Sequence, residues 1–142
     1  MKQITIFSDG GARGNPGHGG YGFVILDGKT NLYKGKKYLG TTTNNQAEYQ
    51  GILNALKYVK EKIASKDKQI QIICNLDSKL IVEQLNGNYK VKNEGLKPLY
   101  WEIRELIIEL GGKIMFKHIA REYNKQADLL VNEAIDEAIN KK

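Results

Sequence analysis

Apolar and polar side chains alternate from the start of the chain. Ile4, Ile6 and Ser8 fall on one side, with Thr5, Phe7 and Asp9 on the other, and this period of two predicts a strand. Residues 10–20 are glycine-rich and read as a loop, with His18 an ordinary loop residue. Second and third strands are predicted over residues 21–26 and 32–39, joined by the turn signal Asp27-Gly28-Lys29. Three such neighbours suit an antiparallel meander.

The period then changes. Ile52, Ala55, Leu56, Val59 and Ile63 recur at helical spacing and predict a helix over residues 44–63, with Asn44 placed to cap it. Residues 70–76 are almost continuously apolar, the pattern of a strand buried on both faces. Ser78 is placed to cap a short helix that stops at Asn86-Gly87. Leu96, Leu99, Tyr100, Ile103, Leu106, Ile107 and Leu110 mark a further amphipathic helix, ended by Gly111-Gly112. A fifth strand follows over residues 113–119. Asn124 is placed to cap a last helix running to about residue 140. The order βββαβααβα predicts one α/β domain over residues 1–142, built around a mixed sheet.

Composition narrows the function. A chain of 142 residues supports one core and not two. No apolar run approaches the ~20 residues of a membrane span, so no membrane partner is expected. The strand pattern begins at once, so no leader peptide is expected. Cys74 is the only cysteine and lies in an apolar stretch. That excludes an internal disulfide or a thiolate cluster and fits a reducing, cytoplasmic setting. The formal charge of +6 leans toward a polyanionic partner. Gly17-His18-Gly19-Gly20-Tyr21-Gly22 matches a dinucleotide-binding spacing, but a strand and not a helix follows it, so that reading is rejected.

The informative residues are acids in unusual places. Asp9 ends the first strand and Asp77 the fourth, where sites gather in α/β sheets. Asp128 falls in the first turn of the last helix, where the helix dipole favours an anion. Turn, cap or dipole roles would account for each of these alone. Glu48 resists such a reading, because it lies one turn before Ile52 on the stripe that faces the core. Carboxylates are rarely buried unless paired or liganded. Four acids brought together stay ionised only if cations hold them. Oxygen donors without a His or Cys cluster select Mg²⁺, or Mn²⁺, over zinc. Two such ions roughly 3.5–4 Å apart would activate water and stabilise the leaving oxygen of a phosphodiester.

Four segments carry these acids: Ser8-Asp9-Gly10-Gly11-Ala12-Arg13-Gly14-Asn15-Pro16-Gly17, Thr42-Thr43-Asn44-Asn45-Gln46-Ala47-Glu48, Leu76-Asp77-Ser78 and Asn124-Lys125-Gln126-Ala127-Asp128. In this order and on these elements the chain resembles the ribonuclease H type 1 family over nearly its whole length. The resemblance implies a ribonuclease H-like fold, a five-stranded mixed sheet of three antiparallel and then two parallel strands flanked by helices. It implies that Asp9, Glu48, Asp77 and Asp128 are the metal-binding catalytic set, holding two Mg²⁺ ions with substrate. It implies hydrolysis of the RNA strand of an RNA–DNA hybrid, leaving 3′-hydroxyl and 5′-phosphate ends, by a monomer that needs no protein partner. Asn15, Asn44 and Asn45 become candidates to contact the minor groove, and Thr43 with Asn44 to hold a phosphate.

The chain also departs from the better-studied bacterial members. Their long Lys-rich helix and loop are absent, and only residues 86–97 separate the helices here. Lys90 and Lys92, with Tyr89, Lys97, Tyr100 and Trp101, are candidates for a reduced grip. No separate N-terminal hybrid-binding domain is expected. The stretch His118-Ile119-Ala120-Arg121-Glu122-Tyr123 looks like the archaeal-type branch, in which a loop arginine replaces a histidine. Arg121 and His118 therefore compete for one auxiliary catalytic role, with Arg121 preferred. A nuclease acting on another duplex and a non-catalytic nucleic-acid binder are the alternatives. Clustered negative charge argues against the binder, since it repels a polyanion.

Overall fold

The alternation at the chain start runs further than expected. The computed structural model describes residues 2–67 and 69–140. In it β1 spans Lys2–Arg13 and β2 spans Gly17–Asp27. They pair antiparallel from Ile4 opposite Asp27 to Arg13 opposite His18. The predicted loop over residues 10–20 is thus mostly hairpin, and His18 belongs to a strand. Only Gly14-Asn15-Pro16 turns, with Gly14 at φ +93°.

The other glycines serve close packing. A Cβ at Gly10 would lie 2.3 Å from the carbonyl carbon of Ala47, and one at Gly22 would lie 2.5 Å from Cβ of Leu130. Glycine weakens a strand by roughly 0.5–1 kcal/mol relative to alanine, and here that cost allows helices to touch the sheet backbone. Gly10 and Gly22 sit one pair apart in the hairpin, so they mark opposite faces of the sheet.

β3 (Thr30–Thr42) pairs antiparallel with β2 and is longer at both ends than expected. β4 (Ile70–Leu76) and β5 (Ile114–His118) are parallel additions on the other side of β1. The sheet order is β3-β2-β1-β4-β5, three antiparallel strands and then two parallel ones.

α1 (Asn44–Tyr58), prolonged by a π-helical turn over Val59–Ala64, buries Ile52, Ala55 and Leu56 in a core shared with Ile4, Ile6, Ile72, Cys74 and Leu76. α2 (Lys79–Leu85) and α3 (Lys97–Glu109) add Ile81, Leu85 and Ile103 to it. α4 (Lys125–Ile139) covers the other face with Ala127, Val131, Ala134 and Ile135.

Ser78 caps α2, accepting from the amide of Ile81 at 3.4 Å. Two other expected caps are corrected. Thr43 caps α1, its hydroxyl accepting from the amide of Gln46 at 3.2 Å, because Asn44 already lies within the helix. Asn124 occupies the cap position of α4 without making a capping bond. Among the described residues no helix is long and apolar enough to cross a membrane.

Candidate active site

β1 is where the sheet changes direction, since it pairs antiparallel with β2 and parallel with β4. Its last parallel partners are Phe7 and Asn75. Asp9 and Asp77 each stand two residues further on, so the topology sets them side by side. Asp77 follows the end of β4, whereas Asp9, expected to end β1, lies inside it where only the pairing with β4 stops, because the hairpin with β2 carries the strand on to Arg13. Gly10 lets the first turn of α1 lie against β1, and that brings in Glu48. Asp9, Glu48 and Asp77 each offer an oxygen within 4.8 Å of the others. Asp128 stands outside that trio. It is exposed, in the first turn of α4, and lines the same cavity of about 510 Å³.

Burial and crowding disfavour the charged forms. Asp9 is pushed up to about 7, first by burial and then by the charge of Asp77, with Asp128 adding to the effect. The amide of Gly10, donating to Asp9 Oδ1 at 2.9 Å, works the other way. Glu48 is held well above the usual carboxylate range by burial and then by Asp9 and Asp77, while the positive charge of Arg121 pulls it down. Oε2 of Glu48 is buried without a hydrogen-bond partner. Such an orphaned oxygen among oxygen donors fits a hard divalent cation, which would relieve the repulsion and occupy the free lone pairs.

Asn124 was missed as a site residue. Its Nδ2 donates to the carbonyl of Ser8 at 2.9 Å and to Oδ2 of Asp77 at 2.9 Å. Its side chain is buried where a cap would be half exposed. The sequence carries only a weak signal for this, an asparagine four residues before an acid, and that signal reads equally well as a cap.

The other candidates are distributed unevenly. The amide of Asn44 donates to Asn15 Oδ1 at 3.0 Å, and Asn44 Oδ1 accepts from the amide of Ala12 at 2.9 Å. The hairpin tip is thereby tied to the start of α1, and Asn44 and Asn45 line the cavity. Thr43 is engaged as the helix cap. Arg121, in a 3-10 turn over Arg121–Tyr123, lines the cavity, whereas His118 ends β5 and does not. Lys90 and Lys92 are exposed and lie outside the cavity, with Tyr89 and Trp101 also exposed. Tyr100 is half-buried and carries Arg104 over its ring. Gly95, in the same segment, packs beside Gln46 in the first turn of α1.

The profile of the family described as Reverse transcriptase-like matches residues 7–134. LC11-RNase H1, isolated from compost by a metagenomic approach, superposes with a TM-score of 0.92 at 44% identity, covering 98% of this chain and 99% of that one. The chain belongs to the ribonuclease H type 1 family. The ribonuclease H1 of the halophilic archaeon Halobacterium salinarum is likewise similar to this ribonuclease H chain, with a TM-score of 0.85 at 32% identity over 95% of this chain and 98% of that one. LC11-RNase H1 has also been solved in complex with an RNA/DNA hybrid, and that structure matches with a TM-score of 0.88. Among curated proteins, the bifunctional protein Rv2228c of Mycobacterium tuberculosis is 38% identical over 138 residues. That match takes in 96% of this ribonuclease H chain but only 36% of the mycobacterial protein, so the chain spans about a third of that relative's length.

Proposed function

We propose that this chain is an endoribonuclease that hydrolyses the RNA strand of RNA–DNA hybrids, leaving 3′-hydroxyl and 5′-phosphate ends. The observation that carries the reading is the cluster of buried Asp9 and Glu48 with half-buried Asp77, with an unpartnered glutamate oxygen among them. The solved hybrid complex of a 41% identical relative supports the choice of substrate.

The trio would hold divalent cations, Mg²⁺ by preference and Mn²⁺ as a substitute, with Asp128 joining at the rim. Two such ions, when bound, supply Lewis acidity toward the attacking water and the departing oxygen. The chain's own groups do the rest. Asn124 orients Asp77 through its amide. Asn15, Asn44 and Asn45 offer amides suited to 2′-hydroxyls, and Thr43 with the amides of the first turn of α1 suits a phosphate. Neither set reads base identity. Arg121, which lines the same cavity, neutralises charge on the phosphate. Lys90 and Lys92 hold the backbone of the hybrid away from the reacting bond. The lone buried Cys74 is compatible with a reducing, cytoplasmic setting.

The decisive experiment offers labelled RNA–DNA hybrid, RNA duplex and DNA duplex with Mg²⁺ and with chelator. Metal-dependent cutting of the RNA strand of the hybrid, and its loss in Asp77→Asn, is the expected result. Comparable cutting of the DNA duplex refutes the reading, and preferential cutting of the RNA duplex would reassign the substrate.

A further inference from the structure

Asp9 and Arg13 lie four residues apart on β1 and share a face, because strand side chains alternate. Asp128, Asn132 and Asp136 recur every four residues on α4 and share one stripe of that helix. The two spacings match. Four strand residues span about 13 Å, and eight helical residues span about 12 Å. Strand and helix run in the same direction, as the packing of the hairpin glycines records. Gly22, opposite Asp9, packs on Ala127 and Leu130, and Gly20, opposite Gly11, packs on Ala134 and Ile135.

Two rungs therefore connect β1 with α4. At one, Asp9 and Asp128 bring like charges to the same cavity. At the other, Arg13 forks. Its Nη1 donates to Asp136 Oδ1 at 2.6 Å and its Nη2 donates to Asn132 Oδ1 at 3.1 Å. Asn132 in turn donates from Nδ2 to the main-chain carbonyl of Asp128 at 3.1 Å. Two hydrogen bonds thus link Arg13 to the backbone of the acid that stands outside the trio. The distance from Asp128 to Asp9 is a relation between α4 and β1, and repulsion between the two carboxylates, when both are ionised, would widen it. The Arg13 fork opposes that widening.

We infer that Arg13 is a positioning residue that, through Asn132 and Asp136, sets the reach of Asp128 toward the Asp9–Glu48–Asp77 trio. The inference rests on the metal-holding role proposed above for these acids. An isolated surface ion pair would engage one acceptor away from the cavity. Arg13 engages two acceptors on one helix stripe and lines the cavity with the acids.

The test compares wild type, Arg13→Ala, Asp136→Ala and the double variant, each also in an Asp128→Ala background. Mn²⁺ binding is titrated by calorimetry without substrate, and KM and kcat are measured on hybrid with Mg²⁺. Arg13→Ala and Asp136→Ala should each raise the half-saturating Mn²⁺ concentration by about fivefold, the scale of an exposed but forked ion pair. The two effects should not add, and neither should appear when residue 128 is alanine. Arg13→Lys, which cannot fork to both acceptors, should recover only part of the affinity. KM should stay within about twofold. Unchanged Mn²⁺ affinity overturns the inference, as does a loss that persists in the Asp128→Ala background. A rise in KM for Arg13→Ala without one for Asp136→Ala also overturns it, making Arg13 a phosphate contact instead. Failure of the wild type to cut hybrid refutes the proposed activity separately, because the Mn²⁺ titration is read without substrate.

Discussion

Asn124 donates its side-chain amide to Asp77, Nδ2 to Oδ2, at 2.9 Å, and the same nitrogen reaches the carbonyl of Ser8 beside Asp9. One buried donor thereby ties together the ends of β1 and β4 and the start of α4. Asn124→Ala removes the donor from two acceptors at once. It should destabilise the protein by about 1–3 kcal/mol, a fall in Tm of several degrees, and should lower kcat more than it raises KM. Asn124→Asp should be worse for turnover than alanine, because it adds a like charge beside Asp77. Melting curves and steady-state kinetics of both variants check this, and wild-type kcat in Asn124→Ala contradicts it.

Stability of the metal-free protein should fall as pH rises. Asp9 titrates near 7 when folded, against a usual value of 3.8. Between these values the folded chain keeps a proton that the unfolded chain has lost. The contribution is therefore fully present below about pH 4 and lost as pH climbs through about 7. Glu48, raised in the same direction, steepens the slope. In chelator at pH 8, Asp9→Asn should melt higher than wild type by on the order of 5 °C, and the gap should close at pH 4. Mg²⁺ should restore the wild type and leave the variant unmoved. Parallel pH slopes for the two proteins would rule this out.

Arg121 and His118 differ in position, Arg121 lining the cavity and His118 ending β5 without lining it. Arg121→Ala should lower kcat by roughly ten- to a hundredfold with metal affinity nearly intact, and His118→Ala should cost less. A folded His118→Ala variant with the larger loss of turnover would reverse the assignment.

Lys90 and Lys92 lie outside the cavity and are exposed, so the proposed grip would act equally in ground and transition states. Replacing both with alanine should raise KM more than it lowers kcat. The dependence of log affinity on log salt should become shallower by about 2. Binding titrations across a salt series decide the point, and an unchanged slope would remove these lysines from the interface.

The elements and the acids were legible in the sequence because both follow local rules. Burial imposes a period of two on β1 and a helical period on α1, and these rules place Asp9 on β1, Asp77 just past the end of β4 and Glu48 on an inward stripe whatever the rest of the chain does, although β1 runs on past Asp9 to Arg13. Partner choice is not local. Asn124 reads as a cap until Ser8, 116 positions away, is brought to its amide. Gly10 reads as a loop residue and Gly22 as an ordinary strand position until α1 and α4 press on them from opposite faces. Arg13 reads as part of a loop until α4 lays Asn132 and Asp136 beside it. The sequence also presents Asp128 as the equal of the other three acids. Only the packing of α4 on the sheet sets it apart at the rim, because a hydrogen bond or a charge contact depends on distances of a few ångströms between elements, and those distances exist only once the layers have docked.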